Sequence, residues 1–188
     1  MILFLTNNDI TKPLIKWLKS KEKVLVITKK ITKNDIKKLK PELIISYNYK
    51  YIISKDLLQL LPNKFINLHI SYLPYNRGAH PNIWSHIENT LSGVTIHLID
   101  HGIDTGDILL QRRVVISDDE TLNSSYKKLH FHIQMLFKKN WFKIKRGKIK
   151  PRKQRGKGTI HYKKDLKKVE HLLTEGFYTK IYKLKGKL

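Results

Sequence analysis

The chain contains no cysteine, which removes disulfide scaffolds, thiolate metal sites, iron–sulfur clusters and cysteine nucleophiles together. Long apolar runs are missing as well: Leu43–Ser46 is typical, far below the ~18 residues a membrane span needs. Met1 leads directly into Ile2–Leu5 with no basic segment before it and no small-residue cleavage site after it. No secretory signal is therefore expected, and the localisation reading is cytoplasmic. Glycine is scarce, and its first occurrence is Gly78. Dinucleotide-binding and P-loop folds need glycines in the turn after the first strand so that the backbone can approach a phosphate. Here that turn reads Thr6-Asn7-Asn8-Asp9, which argues against both classes. Acidic residues are also few: 15 Asp+Glu against 38 Lys+Arg give a formal net charge of +23. A basic surface raises encounter rates with anions without naming a ligand. Only six of the cations are arginines and the chain is rich in Ile and Asn, a mixture that a low-GC coding sequence produces by itself. No stable nucleic-acid partner and no membrane partner are expected.

At 188 residues the chain fits one domain of ordinary size with a short appendage. β-Branched apolar runs at Ile2–Leu5, Val24–Thr28 and Leu43–Tyr47 alternate with amphipathic stretches, such as Ile10, Leu14, Trp17 and Leu18 at helical spacing. Strand, helix, strand, helix, strand is the pattern of a parallel α/β sheet. Ser54 is expected to cap a helix over Lys55–Leu61, and Phe65–Ile70 reads as a fourth strand. Pro81 opens a helix with Ile83, Ile87 and Leu91 on one face, closed by Gly93. Val94–Ile99 and Ile108–Ile116 read as further strands. Ser117-Asp118-Asp119-Glu120 has the form of a capping box opening a long helix whose buried stripe is Leu122, Tyr126, Leu129, Ile133, Leu136 and Phe137. From Lys143 the composition turns to Lys, Arg and Gly, which places the end of a catalytic body at about residue 150. Residues 151–188 then form a basic extension with a short helix around Leu166–Leu173.

Two polar clusters stand at strand ends, the side on which open α/β sheets bind ligands. In Asn67-Leu68-His69, strand alternation projects an amide and an imidazole to the same side. Such a pair can stabilise an oxyanion and shuttle a proton; a buried histidine satisfied by backbone is the competing reading. The second cluster, His97 to Asp107, ends a strand in a turn dense in Gly and Asp. Its two glycines permit positive φ and a tight loop that presents Asp104 inward, with Asp100 and Asp107 left for caps or solvent. His97, Asp100, His101 and Asp104 are all metal-ligand types. A zincin spacing needs a helix and a Glu after the first His, however, so no metal is expected. His130 and His132 point to different faces of one helix, which favours packing over ligation.

The text Ile66-Asn67-Leu68-His69-Ile70-Ser71-Tyr72-Leu73-Pro74, Tyr75-Asn76-Arg77-Gly78-Ala79-His80-Pro81, Gly93-Val94-Thr95-Ile96-His97 and Gly102-Ile103-Asp104-Thr105-Gly106-Asp107-Ile108 resembles the N10-formyltetrahydrofolate-dependent formyltransferase superfamily. The four segments follow that superfamily's order and spacing. The resemblance implies a Rossmann-like, open, mostly parallel twisted sheet flanked by helices, and it places the catalytic trio on Asn67, His69 and Asp104. It implies formyl transfer from N10-formyltetrahydrofolate to an amine, without a metal. The folate would lie against Ser46, Tyr47, Asn48, Tyr49 and Ile52 on one side and Asp100, His101 and Gly102 on the other, bound largely through backbone. The amine substrate would meet Asn7, Asn8, Ser71, Arg77, Gly78 and Pro81.

Within the superfamily, glycinamide ribonucleotide transformylases carry a glycine-rich phosphate loop after the first strand and usually lack the Arg77-Gly78 form of the central loop. Methionyl-tRNA formyltransferases share that loop but carry a longer C-terminal domain. Sugar-nucleotide N-formyltransferases share the loop and place Asn-rich text after the first strand, as here. The resemblance therefore implies a nucleotide-linked amino sugar as acceptor, a role in polysaccharide synthesis, and a possible homodimer. A transfer-RNA or purine-pathway acceptor, or an inactive nucleic-acid-binding module, are the alternatives.

Overall fold

The computed structural model describes residues 1–187. Its first half alternates as the apolar runs dictate: β1 (Ile2–Leu5), α1 (Lys12–Lys19), β2 (Val24–Ile27), α2 (Lys33–Leu39), β3 (Leu43–Ser46), α3 (Lys55–Leu60) and β4 (Phe65–His69). β1 pairs in parallel with both β2 and β3, and β3 with β4. Ile2 to Leu5 are fully buried, as expected of a strand covered on both faces. β5 (Arg77–Gly78) and α4 (Pro81–Ile87) follow, then β6 (Gly93–Leu98) and β7 (Ile108–Arg113), giving a six-stranded sheet of order β2-β1-β3-β4-β6-β7. Ile99, just past β6, donates to the carbonyl of Phe65 at the start of β4 (2.9 Å), so β6 runs against β4. The sheet is therefore mostly parallel, in the α/β class expected. α5 (Leu122–Lys145) and β8 (Ile160–His161) complete the regular elements.

Two compact units emerge. The first comprises Met1–His69, Ile96–Leu109 and Asn140–Lys153, with a core of Leu3, Leu5, Ile44, Phe65 and Leu57 among others. The second comprises Ile70–Thr95, Leu110–Lys139 and 154–187, and its core joins Ile83, Trp84, Ile87 and Leu122 to Val169, Ile181 and Leu184. The basic extension thus supplies three buried side chains to the second core.

Several boundaries differ from the sequence expectation. α4 ends at Ile87 because Asn89 takes a left-handed φ of 50°, so Leu91 lies outside the helix. Gly93 does not close that helix; it opens β6, where a Cβ would meet the Arg112 carbonyl at 2.6 Å and the Tyr72 ring at 2.8 Å. β7 stops at Arg113 rather than Ile116. The long helix is capped by Thr121, whose hydroxyl accepts from Ser124 N–H at 3.1 Å. Ser117 and Glu120 instead close a turn before it, with Ser117 N–H donating to Glu120 Oε1 at 3.1 Å. In place of a helix around Leu166–Leu173 the backbone makes two 3-10 turns, Lys163–Lys168 and Glu170–Leu172.

Candidate active site

Strand alternation on β4 puts Asn67 and His69 on one side, and the antiparallel passage of β6 brings His97 beside them. Asp104 enters from the loop that joins β6 to β7. The Asn67 amide nitrogen lies 2.9 Å from Asp104 Oδ1 and 3.3 Å from His97 Nε2. His97 Nδ1 sits 2.7 Å from the Leu98 carbonyl oxygen, which can only accept. His97 Nε2 stands 3.3 Å from both the Asn67 amide nitrogen and Asp104 Oδ1, so it accepts from Asn67 when the ring is neutral and pairs with Asp104 when the ring is charged. The ring of His69 is buried, and its Nδ1 stands 3.6 Å from Asp104 Oδ2. That is ion-pair range, beyond direct hydrogen-bond length. All four side chains belong to the first unit.

The loop that delivers Asp104 is built differently from the sequence expectation. Neither Gly102 nor Gly106 has a positive φ; Asp104 itself takes it, at 51°. The glycines serve close approach instead. A Cβ on Gly106 would fall 1.8 Å from the Leu98 carbonyl oxygen, and one on Gly102 would fall 2.0 Å from Thr105 Oγ1. Asp100 acts as the expected cap, accepting from Gly102 N–H (3.1 Å) and Thr105 Oγ1 (2.6 Å). Asp107 pairs with Lys153 at 3.0 Å. Among the described residues no group of three or more His, Asp or Glu side chains is arranged to hold a metal ion.

The remaining site residues of the sequence reading separate into two groups. In the first unit, Asn7 is joined to the loop after β3. Its backbone N–H reaches Asn48 O (3.0 Å), its Oδ1 accepts from Lys50 N–H (3.0 Å), and its Nδ2 donates to Thr28 O (2.7 Å). Asn8 caps the following turn by accepting from Ile10 N–H at 3.0 Å. Both asparagine side chains therefore organise loops. Tyr47 is wholly buried and Ser46 nearly so, whereas Ile52 is 80% exposed. Tyr49 is anchored by its hydroxyl, which donates to Lys29 O (2.7 Å) and accepts from Ile31 N–H (2.8 Å). Ile52 is the large exposed apolar side chain of this stretch, beside half-buried Asn48 and Tyr51 and exposed Lys50. A cavity of about 270 Å³ is lined by Asp100 and His101, but with Lys55, Gln59 and Phe65 rather than with residues 46–52.

Ser71, Arg77, Gly78 and Pro81 belong to the second unit. Ser71 Oγ is buried without a hydrogen-bond partner among the described residues. Gly78 holds a φ of 84° that favours glycine, and Pro81 is the first residue of α4. His80 is held below the ordinary histidine range by partial burial and then by Lys163, which favours the neutral ring.

An amide donor, two imidazoles and one carboxylate within hydrogen-bond or ion-pair range can stabilise an oxyanion and move a proton without further groups. His97 is the member that the motif reading left without a role. Alternation along Gly93–Leu98 puts His97 on one side of its strand, but only the neighbourhood of β6 and β4 brings it to Asn67.

The formyl transferase family model matches residues 6–139. The structure of the formyltransferase PseJ from Anoxybacillus kamchatkensis, in complex with UDP-4,6-dideoxy-4-formamido-L-AltNAc and tetrahydrofolate, is 42% identical. It covers 99% of this chain and 98% of its own with a TM-score of 0.92. A dTDP-4-amino-4,6-dideoxyglucose formyltransferase of Mycobacterium bovis is 32% identical over 57% of this chain and 46% of that protein. A methionyl-tRNA formyltransferase of Thermodesulfovibrio yellowstonii is 40% identical over 55% of this chain and 33% of that protein. The chain thus spans less than half the length of these curated relatives.

Proposed function

Because the chain belongs to the formyl transferase family, we propose that it transfers a formyl group from N10-formyltetrahydrofolate to the primary amine of a nucleotide-linked amino sugar. The observation that carries the reading is the Asn67, His69, His97 and Asp104 cluster, which supplies the groups such a transfer needs. The ligands of the A. kamchatkensis relative support the acceptor class, since a formamido sugar and a deformylated folate are what the transfer leaves behind.

The amine nitrogen attacks the formyl carbon, forming a C–N bond and placing negative charge on the formyl oxygen. Asn67 gives an amide proton to that oxygen. The contact with His97, at 3.3 Å the longer of its two, is the one exchanged. His69 carries a proton from the attacking ammonium towards N10, and the C–N10 bond breaks to release tetrahydrofolate. Asp104 stabilises His69 while the ring is charged; the 3.6 Å separation suits Coulombic support across a gap or through one water. The folate lies against residues 46–52 and 100–102, where backbone groups do most of the binding and Ile52 supplies an apolar face. Arg77 is the cation for the substrate's diphosphate, because its fork matches phosphate oxygens in two places. On this reading the protein supplies modified sugars for polysaccharide synthesis, and the reaction needs no metal.

The test is a formyl-transfer assay with N10-formyltetrahydrofolate and a panel of UDP- and dTDP-linked amino sugars. Formylation of at least one sugar is expected. Formylation of methionyl-tRNA with none of any sugar contradicts the reading.

A further inference from the structure

Arg77 is held in an unusual way. Its backbone is fixed by the parallel pairing of β5 with β8: Arg77 N–H donates to Thr159 O (3.0 Å) and Ala79 N–H to His161 O (2.8 Å). Its guanidinium gives both Nε–H (3.1 Å) and Nη2–H (2.7 Å) to a single atom, Gln154 Oε1. Gly158 lets the backbone lie directly against the guanidinium. A Cβ there would sit 2.4 Å from the Pro74 carbonyl oxygen and 3.2 Å from Arg77 Cζ. Among the described residues Arg77 forms no ion pair. Glu88, an acidic side chain tied to the same β5/β8 region, is already used by Asn76 (2.9 Å) and Thr159 (3.0 Å) and stands 2.8 Å from His161 Nε2. Around Gln154 the sequence supplies only cations, since no acidic residue stands between Glu120 and Asp165, and Arg155 and Lys157 are exposed.

The usual way to fix a half-buried guanidinium is a carboxylate, which holds the fork but cancels its charge. An amide oxygen holds the same fork and leaves the charge intact, with Nη1 and the second Nη2 proton still to donate. We propose that Gln154 is a positioning residue for the anionic part of the acceptor: it aims Arg77 through a neutral oxygen so that the full positive charge meets a substrate phosphate. The inference rests on the sugar-nucleotide reading above. It turns residues 154–161 from a basic tail into a determinant of acceptor affinity, with Gly158 permitting the approach.

The test compares Gln154→Glu, Gln154→Ala and Arg77→Ala with the wild-type protein. The readouts are UDP binding by calorimetry, steady-state kinetics on a UDP-linked amino sugar, and thermal stability. Gln154→Glu keeps an acceptor at the fork but neutralises it. It is expected to weaken UDP binding and raise the acceptor KM by about 10- to 100-fold, with kcat, donor KM and Tm near wild type. Arg77→Ala should match it in affinity, and Gln154→Ala should fall between them and the wild type. If Gln154→Glu binds UDP as well as the wild type does, the contact is only a latch of the fold and the proposal is overturned. A loss of affinity that merely tracks a fall in Tm across the three variants overturns it in the same way. Wild-type protein that binds no UDP, yet formylates another amine, overturns the acceptor reading and this proposal together.

Discussion

The molecule contains two polar networks that each combine one carboxylate with an amide and imidazole, and their contacts differ. In the second unit Glu88, Asn76, Thr90, Thr159 and His161 are joined by short contacts. Asn76 Nδ2 and Thr159 Oγ1 donate to Glu88 Oε2 at 2.9 and 3.0 Å, and Thr90 Oγ1 donates to Asn76 Oδ1 at 2.8 Å. His161 lies flat on Trp84, with centroids 3.8 Å apart, and its Nε2 stands 2.8 Å from Glu88 Oε1. In the first unit Asp104, Asn67, His69 and His97 also combine one carboxylate with an amide and imidazole, but the His69–Asp104 separation is 3.6 Å and no ring is stacked flat. The hydrogen bonds to Glu88 and the stacked ring tie together the segments around β5, α4 and β8. The longer His69–Asp104 separation suits the proposed proton transfer, in which the ring gains and returns a proton with Asp104 as its Coulombic support.

Substitutions should separate the two networks by what they damage. The largest effect is expected at Asn67: Asn67→Ala removes the proposed oxyanion donor and should lower kcat by about 100- to 1000-fold with little change in stability, measured by initial rates and urea titration. Glu88→Ala should do the reverse. It strands Asn76, Thr159 and His161 and should cost about 2 to 4 kcal/mol of unfolding free energy, read from the same titration, while kcat in the folded fraction changes little.

Acid sharpens the contrast further. Burial holds His86 at about 4, with Glu120 and Asp118 opposing it and Lys185 adding to it, and burial also holds His130 at about 4. In both, the folded value lies below the ordinary 6.5. As pH falls the unfolded chain therefore takes up the proton first. Stability should be intact above pH 6.5, decline between 6.5 and about 4, and flatten below it as far as these two groups are concerned. The loss is up to about 3 kcal/mol for each ring. Unfolding titrations of His130→Leu across this range should show a shallower decline. The smallest effect belongs to Asn7→Ala, which unties Thr28 O and Lys50 N–H and should cost about 1 to 2 kcal/mol in the same titration.

What was legible in the sequence was what local periodicity encodes. The buried runs at Ile2–Leu5, Leu43–Ser46 and Phe65–His69 could hardly be anything but strands, and the Asn67/His69 alternation followed from the pleat. Asp104 was visible because two glycines flank it, although the reason was misread: they admit Leu98 O and Thr105 Oγ1, and Asp104 carries the positive φ. His97 stayed hidden because its role depends on which residue β6 brings opposite it, a non-local fact. The segment 154–187 was least legible. Its 3-10 turns leave no helical stripe, and the contact of Gln154 with Arg77 and the close approach of Gly158 to Pro74 are tertiary and leave no local pattern. Gly93 was misread for a related reason, since a glycine after a helical stretch looks the same whether it caps the helix or admits a neighbouring strand.

The central claim is that His69 and Asp104 act as one proton-handling unit in formyl transfer. The measurement that tests it most directly is kcat for His69→Ala, Asp104→Asn and the double variant, with N10-formyltetrahydrofolate and a nucleotide-linked amino sugar. Each single variant should fall by more than about 100-fold, and the double should fall by far less than the product of the two, because removing either partner already disables the pair. Turnover close to wild type in either single variant, or strict multiplication of the two losses, would contradict the account.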